Sequence, residues 1–173
     1  MTLEKKPSFL KDIATLFKVR LGFFVVLSAV LGWFMGVETI DIKSMMLLAT
    51  GGYLLTGASN GLNQIIERDT DAIMSRTKNR PLPTGRMSVK TALFLSISAA
   101  VVGLFCLSLL NYISAILGVV SLILYAFLYT PLKSRTTLCV FVGAIPGALP
   151  PMIGYVAATG ELGIEPCALF AVQ

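Results

Sequence analysis

The sequence predicts an all-α fold, a polytopic transmembrane helical bundle, and three observations lead to it. Of 173 residues, 55% are hydrophobic and 13% charged, where a soluble domain carries about 25% charged residues. Five apolar stretches, near 19–37, 44–66, 91–110, 112–132 and 138–158, approach the roughly 20 residues that cross a hydrocarbon core of about 30 Å. The bases are also unevenly placed. Lys5, Lys6, Lys11, Lys18 and Arg20 precede or open the first stretch. Arg68, Arg76, Lys78, Arg80, Arg86 and Lys90 lie between the second and third, and Lys133 and Arg135 between the fourth and fifth. If the spans alternate, every base except Lys43 falls on one side, and Glu38, Asp41, Glu161 and Glu165 fall on the other. This is the positive-inside pattern, with a cytoplasmic N-terminus and a multi-pass location in the cell's inner membrane. The net charge of +5 therefore reads as topology beside membrane lipid, not as a nucleic-acid surface.

The elements follow in order. Phe9, Leu10, Ile13, Leu16 and Phe17 recur at helical spacing and predict a short helix at the membrane interface. The first span ends in LGWFMG, where Trp33 fits an interfacial aromatic belt. No small-x-small cleavage site follows that span, so no cleavable signal is expected. The second span carries Gly57 and Gly61, a small-xxx-small pair suited to close helix packing. Pro81, Pro83 and Gly85 punctuate the loop before the third span, because proline cannot continue a helix. The fifth span contains Pro146, Pro150 and Pro151. These read either as a kink lining a cavity or as a packing kink, since lost backbone bonds are tolerated where neighbours satisfy them. A sixth stretch begins near Pro166, but PCALFAVQ is too short to span. Residues 1–173 are thus expected to be the N-terminal portion of one transmembrane domain. Cys106, Cys139 and Cys167 are isolated and read as inert thiols. There is no histidine, so a metal would be held by oxygen.

The end of the second span carries the chemistry. At about 100° per residue, Asn63, Gln64, Glu67 and Asp71 fall on one helix face within an arc of about 100°, with Asp69 opposite. Asn63, Glu67 and Asp71 form an oxygen ladder at i, i+4 and i+8. Polar groups at membrane depth are costly and usually face a protein interior or a wet cavity. Two carboxylates and an amide one turn apart can hold Mg²⁺, which shares its shell with water and phosphate oxygens. Arg76, Lys78 and Arg80 could grip the rest of such a phosphate. Acids alone would suggest a cation site and bases alone an anionic lipid site; together they suggest a metal–diphosphate site. Tyr129 and Lys133, at i and i+4, and Lys18 with Arg20 approach the same membrane face. Each of these, taken singly, also fits a belt or snorkelling residue.

The stretch NQIIERDTD resembles the N-x-x-x-D-x-x-x-D motif of the intramembrane aromatic prenyltransferases, and RTKNRPLPTGR resembles the segment that follows it. FKVRLGFFVVLSAVLGWFMG and YTPLKSRTTLCVFVGAIPGALPPMIGY are similar to the first helix and the fourth-to-fifth helix region of the heme-farnesylating branch. The resemblance implies an all-helical enzyme of about nine spans, each of ordinary transmembrane length, around a central cavity. It also implies transfer of farnesyl from farnesyl diphosphate to a vinyl group of heme b, giving heme O. Carried over by position, Asn63, Glu67 and Asp71 match the Mg²⁺-binding and catalytic motif. Arg80, Tyr129 and Lys133 match diphosphate-binding positions, and Lys18 and Arg20 the basic pair opening the first helix. Glu67 departs from the usual Asp, and Val19 replaces a common proline. The family's second acid-rich motif and its histidine-containing segment have no counterpart within residues 1–173.

Two other functions fit the same residues. One is prenyl transfer to a different aromatic acceptor, such as a quinone precursor, which products formed with heme b or 4-hydroxybenzoate would separate. The other is a non-enzymatic cation transporter using the ladder as its path, which ion flux without diphosphate binding would reveal. Against the latter, the acids cluster at one mouth and no partner acid appears in the third to fifth spans.

Overall fold

A computed structural model describes residues 8–133 and 136–173. Lys5, Lys6 and Arg135 of the basic pattern lie outside them. The described residues are helical and contain no strand. Helix α1 (Phe9–Leu16) starts on Ser8, whose hydroxyl accepts from the Lys11 amide at 3.4 Å, satisfying one of the donors a helix start leaves open. It buries Asp12 and Leu16. Lys18 then turns the chain in the left-handed region (φ 49°) into α2 (Val19–Gly36). Asp41 caps α3 (Ile42–Ile66), accepting from the amides of Lys43 and Ser44. The chain breaks at Glu67 and resumes as α4 (Arg68–Ile73). Helix α5 spans Val89–Ser108. Helix α6 (Tyr112–Ile123) runs through a π-helical turn, Leu124–Tyr129, into the short α7 (Thr130–Leu132). Helix α8 (Cys139–Thr159) ends at Gly160, which adopts φ 76°, a common helix stop. Helix α9 (Ile164–Val172) follows.

Four of these are long and apolar enough to cross a membrane: Val19–Gly36, Val89–Ser108, Tyr112–Leu132 and Cys139–Thr159. The expected span at 44–66 is also a helix, of 25 residues. It differs because its last turns carry buried Ser59, Asn60, Asn63 and Gln64, which dilute its apolar character. The short α9 does not reach spanning length.

Two close contacts set the bundle. A Cβ on Gly154 of α8 would fall inside the shell of the Ala29 carbonyl of α2, and one on Gly32 would meet the Pro151 carbonyl. Helices α3 and α5 meet at Gly51 and Gly103, each facing the other's carbonyl at about 3 Å. Gly57 and Gly61 also serve packing: Gly57 faces the Phe17 ring and Gly61 the Ser96 side chain. Trp33 corrects an expectation. It is 1% exposed in the core with Ala29, Ile153 and Ala157, so it belongs to the α2–α8 contact and not to an interfacial belt. Helix α8 continues through all three prolines. Pro150 and Pro146 line two small apolar cavities of about 50 and 70 Å³ between α2, α3, α6 and α8, so the helix both packs closely and borders internal space.

Candidate active site

The ladder survives the break between α3 and α4 because its backbone bonds continue. The Glu67 amide donates to the Asn63 carbonyl at 2.9 Å, and the Asp71 amide to the Glu67 carbonyl at 2.7 Å. Asn63, Glu67 and Asp71 thus stay one turn apart. Asp71 is 3% exposed and receives Arg80 Nη1 at 2.6 Å. Glu67 receives Lys133 Nζ at 3.2 Å. Asn63 is buried and its Nδ2 donates to Thr130 Oγ1 at 2.9 Å, leaving the amide oxygen available as an acceptor. Asp69 lies outside, with its side chain 86% exposed, against Arg68.

Glu67 and Asp71 line one cleft of about 140 Å³, together with Thr70, Arg76, Arg80, Thr130 and Lys133. Of the bases singled out in the sequence, Arg76, Arg80 and Lys133 are therefore brought to the cleft. Lys78 and Arg20 are exposed and do not line it. Tyr129 does not line it either: it stacks on Tyr125, with centroids 5.5 Å apart, and covers Gly143. Half-buried Lys18 does not line the cleft either; it sits at the α1–α2 elbow, within electrostatic reach of Arg80, Glu67, Lys133 and Asp71. Burial, reinforced by the Arg80 charge, lowers its pKa from 10.5 to about 8, with Glu67 and Asp71 opposing.

Two threonines complete the site that the sequence did not single out. Thr77 is buried and its hydroxyl donates to the Asp71 carbonyl at 3.1 Å, holding the loop to α4. Thr130 accepts from Asn63 and donates to the Tyr125 carbonyl, five residues back, at 2.8 Å. That spacing is the π-helical one, and such turns often mark functional sites. Only the position of Thr130 beside Tyr129 could have drawn attention to it. Thr130→Val removes both bonds and strands the buried Asn63 amide. It is expected to cost about 2 kcal/mol, read as a lower melting temperature in detergent, while Thr130→Ser stays close to wild type.

The donor set suits a hard cation. Among the described residues no three His, Cys, Asp or Glu side chains converge. The two carboxylates of the cleft, with the amide oxygen of buried Asn63 one turn before them and outside the cleft's lining, would match the sparse protein share of a Mg²⁺ shell completed by water and phosphate. The paired bases supply the complementary charge for an anion.

The chain matches the model of the UbiA prenyltransferase family over residues 23–173. It is similar to the Protoheme IX farnesyltransferase of Christiangramia forsetii, at 53% identity over 166 residues, covering 96% of this chain and 55% of that one. In fold it is similar to a digeranylgeranylglyceryl phosphate synthase, with TM-score 0.84 at 20% identity, over 93% of this chain and 57% of that one. It is also similar to a UbiA homologue from Archaeoglobus fulgidus bound to GPP and Mg²⁺, with TM-score 0.72 at 18% identity, over 91% and 58% of the two chains. The chain spans little more than half the length of the curated relatives it matches. The sequence match runs through the ladder and the helices that carry it, and on that ground the chain belongs to the UbiA prenyltransferase family.

Proposed function

We propose that the protein transfers the farnesyl group of farnesyl diphosphate to a vinyl group of heme b, making heme O, with Mg²⁺ assistance. The observation that supports this most is the double acid–base pairing in one cleft, Glu67 with Lys133 and Asp71 with Arg80. Two acids and two bases at one mouth suit a metal and a diphosphate bound side by side. The name of the Christiangramia forsetii relative supports the acceptor and donor, and the Archaeoglobus fulgidus neighbour bound to GPP and Mg²⁺ supports the metal and the substrate class.

In this reading Glu67, Asp71 and Asn63 hold Mg²⁺, while Arg80, Lys133, Arg76 and Lys18 hold the diphosphate. The bound metal supplies Lewis-acid neutralisation of charge on the leaving group. The bases add preorganised electrostatic stabilisation as the allylic C–O bond breaks and its electron pair departs with the diphosphate. The apolar interior keeps water from the allylic cation. The vinyl group of heme b supplies the electrons for the new C–C bond, and water then adds with loss of a proton to give the hydroxyethyl product. Lys78, Arg20 and Tyr129, which do not line the cleft, have no assigned role in it. The bases at the α1–α2 elbow and around α4 face the cytoplasm of an inner membrane, by the positive-inside pattern.

The test is product analysis. Full-length protein in detergent with farnesyl diphosphate, Mg²⁺ and heme b should yield heme O, and with 4-hydroxybenzoate no prenylated product. The reverse result overturns the acceptor, and ion flux without diphosphate binding overturns the enzyme. The Lys18 pKa adds a pH dependence. Below about pH 8 the amine is charged and assists diphosphate binding. As pH rises through that value it loses its proton, so affinity for Mg²⁺–farnesyl diphosphate is expected to fall, and binding near pH 8 should take up protons. Isothermal titration in buffers of different ionisation enthalpy measures both. Lys18→Met should remove the step.

A further inference from the structure

The ladder helix also presents a buried amide that neither metal nor diphosphate binding uses. Gln64 is 0% exposed, and its Nε2 donates to two carbonyls at once, Thr15 at 3.0 Å and Leu16 at 2.8 Å. These are the last two carbonyls of α1, at a helix end where carbonyls run short of internal partners, and that of Thr15 also accepts from the Lys18 amide at 3.4 Å. Directly beyond them stands Lys18, the only non-glycine with positive φ among the described residues. A left-handed conformation is unfavourable for a lysine and persists only where its surroundings fix it.

Beside the elbow's own backbone bonds, from the Lys18 amide to the Thr15 carbonyl at 3.4 Å and from the Gly22 amide to the Lys18 carbonyl at 3.0 Å, three tertiary contacts surround it. Gln64 holds the α1 carbonyls. The Phe17 ring lies against Gly57, where a side chain would collide with it. At the other end of α1, buried Asp12 accepts from Arg86 Nε at 3.1 and 3.3 Å and pairs with Nη2 at 3.1 Å, while Nη2 also donates to the Asn79 carbonyl. Gln64 neighbours Asn63 in α3, so one rigid helix sets both the ladder and the elbow. The Gln64 Oε1 is buried without a partner. The residue therefore carries a desolvation cost that an apolar side chain of the same size would avoid, and its donor function is the feature that distinguishes it.

We propose that Gln64 is a positioning residue for Lys18: by tying the C-terminal carbonyls of α1 to the ladder helix, it fixes the left-handed elbow that holds the Lys18 ammonium within electrostatic reach of the diphosphate cleft. The inference rests on the proposed diphosphate site and assigns the elbow that serves it. It predicts that Gln64 acts on the anion only through Lys18.

The test is a double-mutant cycle, which isolates coupling between two residues, in the full-length protein in detergent with Mg²⁺–pyrophosphate as the probe. Gln64→Met, which keeps the volume and removes the donor, should weaken binding about tenfold. Lys18→Met should weaken it similarly, and the double variant no further than Lys18→Met alone. A spectroscopic readout accompanies it. With lysines reductively ¹³C-methylated, the Lys18 signal (assigned by its loss in Lys18→Met) should titrate near pH 8 in the wild type and closer to the ordinary lysine range in Gln64→Met. Equal losses from Gln64→Met in both backgrounds, or a folded Gln64→Met with unchanged affinity and an unmoved Lys18 signal, overturn the positioning role. Unchanged affinity in Lys18→Met overturns it too, and also removes Lys18 from the diphosphate site. If Gln64→Met does not fold, Asp12→Asn takes its place, because it loosens the same elbow from the far end. Non-additivity with Lys18→Met then supports the proposal, and additivity overturns it.

Discussion

Asp71→Ala is expected to lower kcat/KM for farnesyl diphosphate by about a thousandfold or more in the full-length protein, and to destabilise the fold as well. The catalytic part follows from the loss of one of only two carboxylates in the cleft. Removing a single preorganised electrostatic contact typically costs 10²–10³ in rate, about 2.7–4 kcal/mol, and the remaining Glu67 and Asn63 would be left to bind a divalent ion with half the negative charge. The structural part has a different origin. Asp71 and Arg80 are 4% and 19% exposed in their side chains and 2.6 Å apart. Deleting the acid leaves a largely buried guanidinium without its counterion, a change that costs about 3–5 kcal/mol in buried pairs. The expected value sits near the lower end, because Arg80 retains some access to water. The two effects separate in Asp71→Ala/Arg80→Ala. That variant should regain most of the melting temperature, since no buried charge is left unpaired, and none of the activity. If Asp71→Ala keeps normal affinity for Mg²⁺–farnesyl diphosphate by isothermal titration, the ladder is not the metal site.

The parts of the structure legible in the sequence are those set by runs and spacings along one helix. The stretches at 19–37, 112–132 and 138–158 appear as helices at Val19–Gly36, Tyr112–Leu132 and Cys139–Thr159, because a long apolar run has few other ways to satisfy its backbone in a membrane. The spacing of Asn63, Glu67 and Asp71 also carried over, although the break at Glu67 did not show in it. An i, i+4 pattern reports hydrogen-bonded register, and that register persists through the break. What the sequence hid depends on groups far apart in the chain. Asp12 and Arg86 meet across 74 residues, and Gln64 reaches back 48 residues to Leu16. On spacing alone Gln64 was indistinguishable from a ladder member. An aromatic near a span end has two destinations, a belt or a helix contact, and spacing does not separate them; Trp33 takes the second, in the core with Ala29, Ile153 and Ala157. The π turn has no composition of its own. It closes where the Thr130 amide donates to the Tyr125 carbonyl five residues back, a carbonyl the Thr130 hydroxyl also reaches; the Tyr129 ring lies against Gly143, and Thr130 and Lys133 line the cleft.

The largest effect on stability is expected from Gly154→Ala. A methyl group there would overlap the Ala29 carbonyl and lie 2.9 Å from the Trp33 backbone nitrogen. The obstacle is backbone of another helix, not the end of a flexible side chain, so no rotamer change relieves it. Overpacking of a close-packed core usually costs about 1–3 kcal/mol and occasionally more. A backbone collision belongs at or above the top of that range, because α2 and α8 must move apart as rigid bodies. Separation would also open the second point of the crossing, where Gly32 meets Pro151, and release the core contacts of Ala29, Trp33 and Ile153. Gly147→Ala is the control on the same helix. Its Cβ meets nothing within 4 Å, so the change should be neutral or stabilising by up to about 1 kcal/mol through helix propensity. The single tryptophan of the chain sits at this crossing and reports on it directly. Thermal unfolding followed by Trp33 emission should show a large drop in melting temperature and a red-shifted native spectrum for Gly154→Ala, and neither for Gly147→Ala. Similar melting curves for the two variants would mean that α2 and α8 do not make this close crossing.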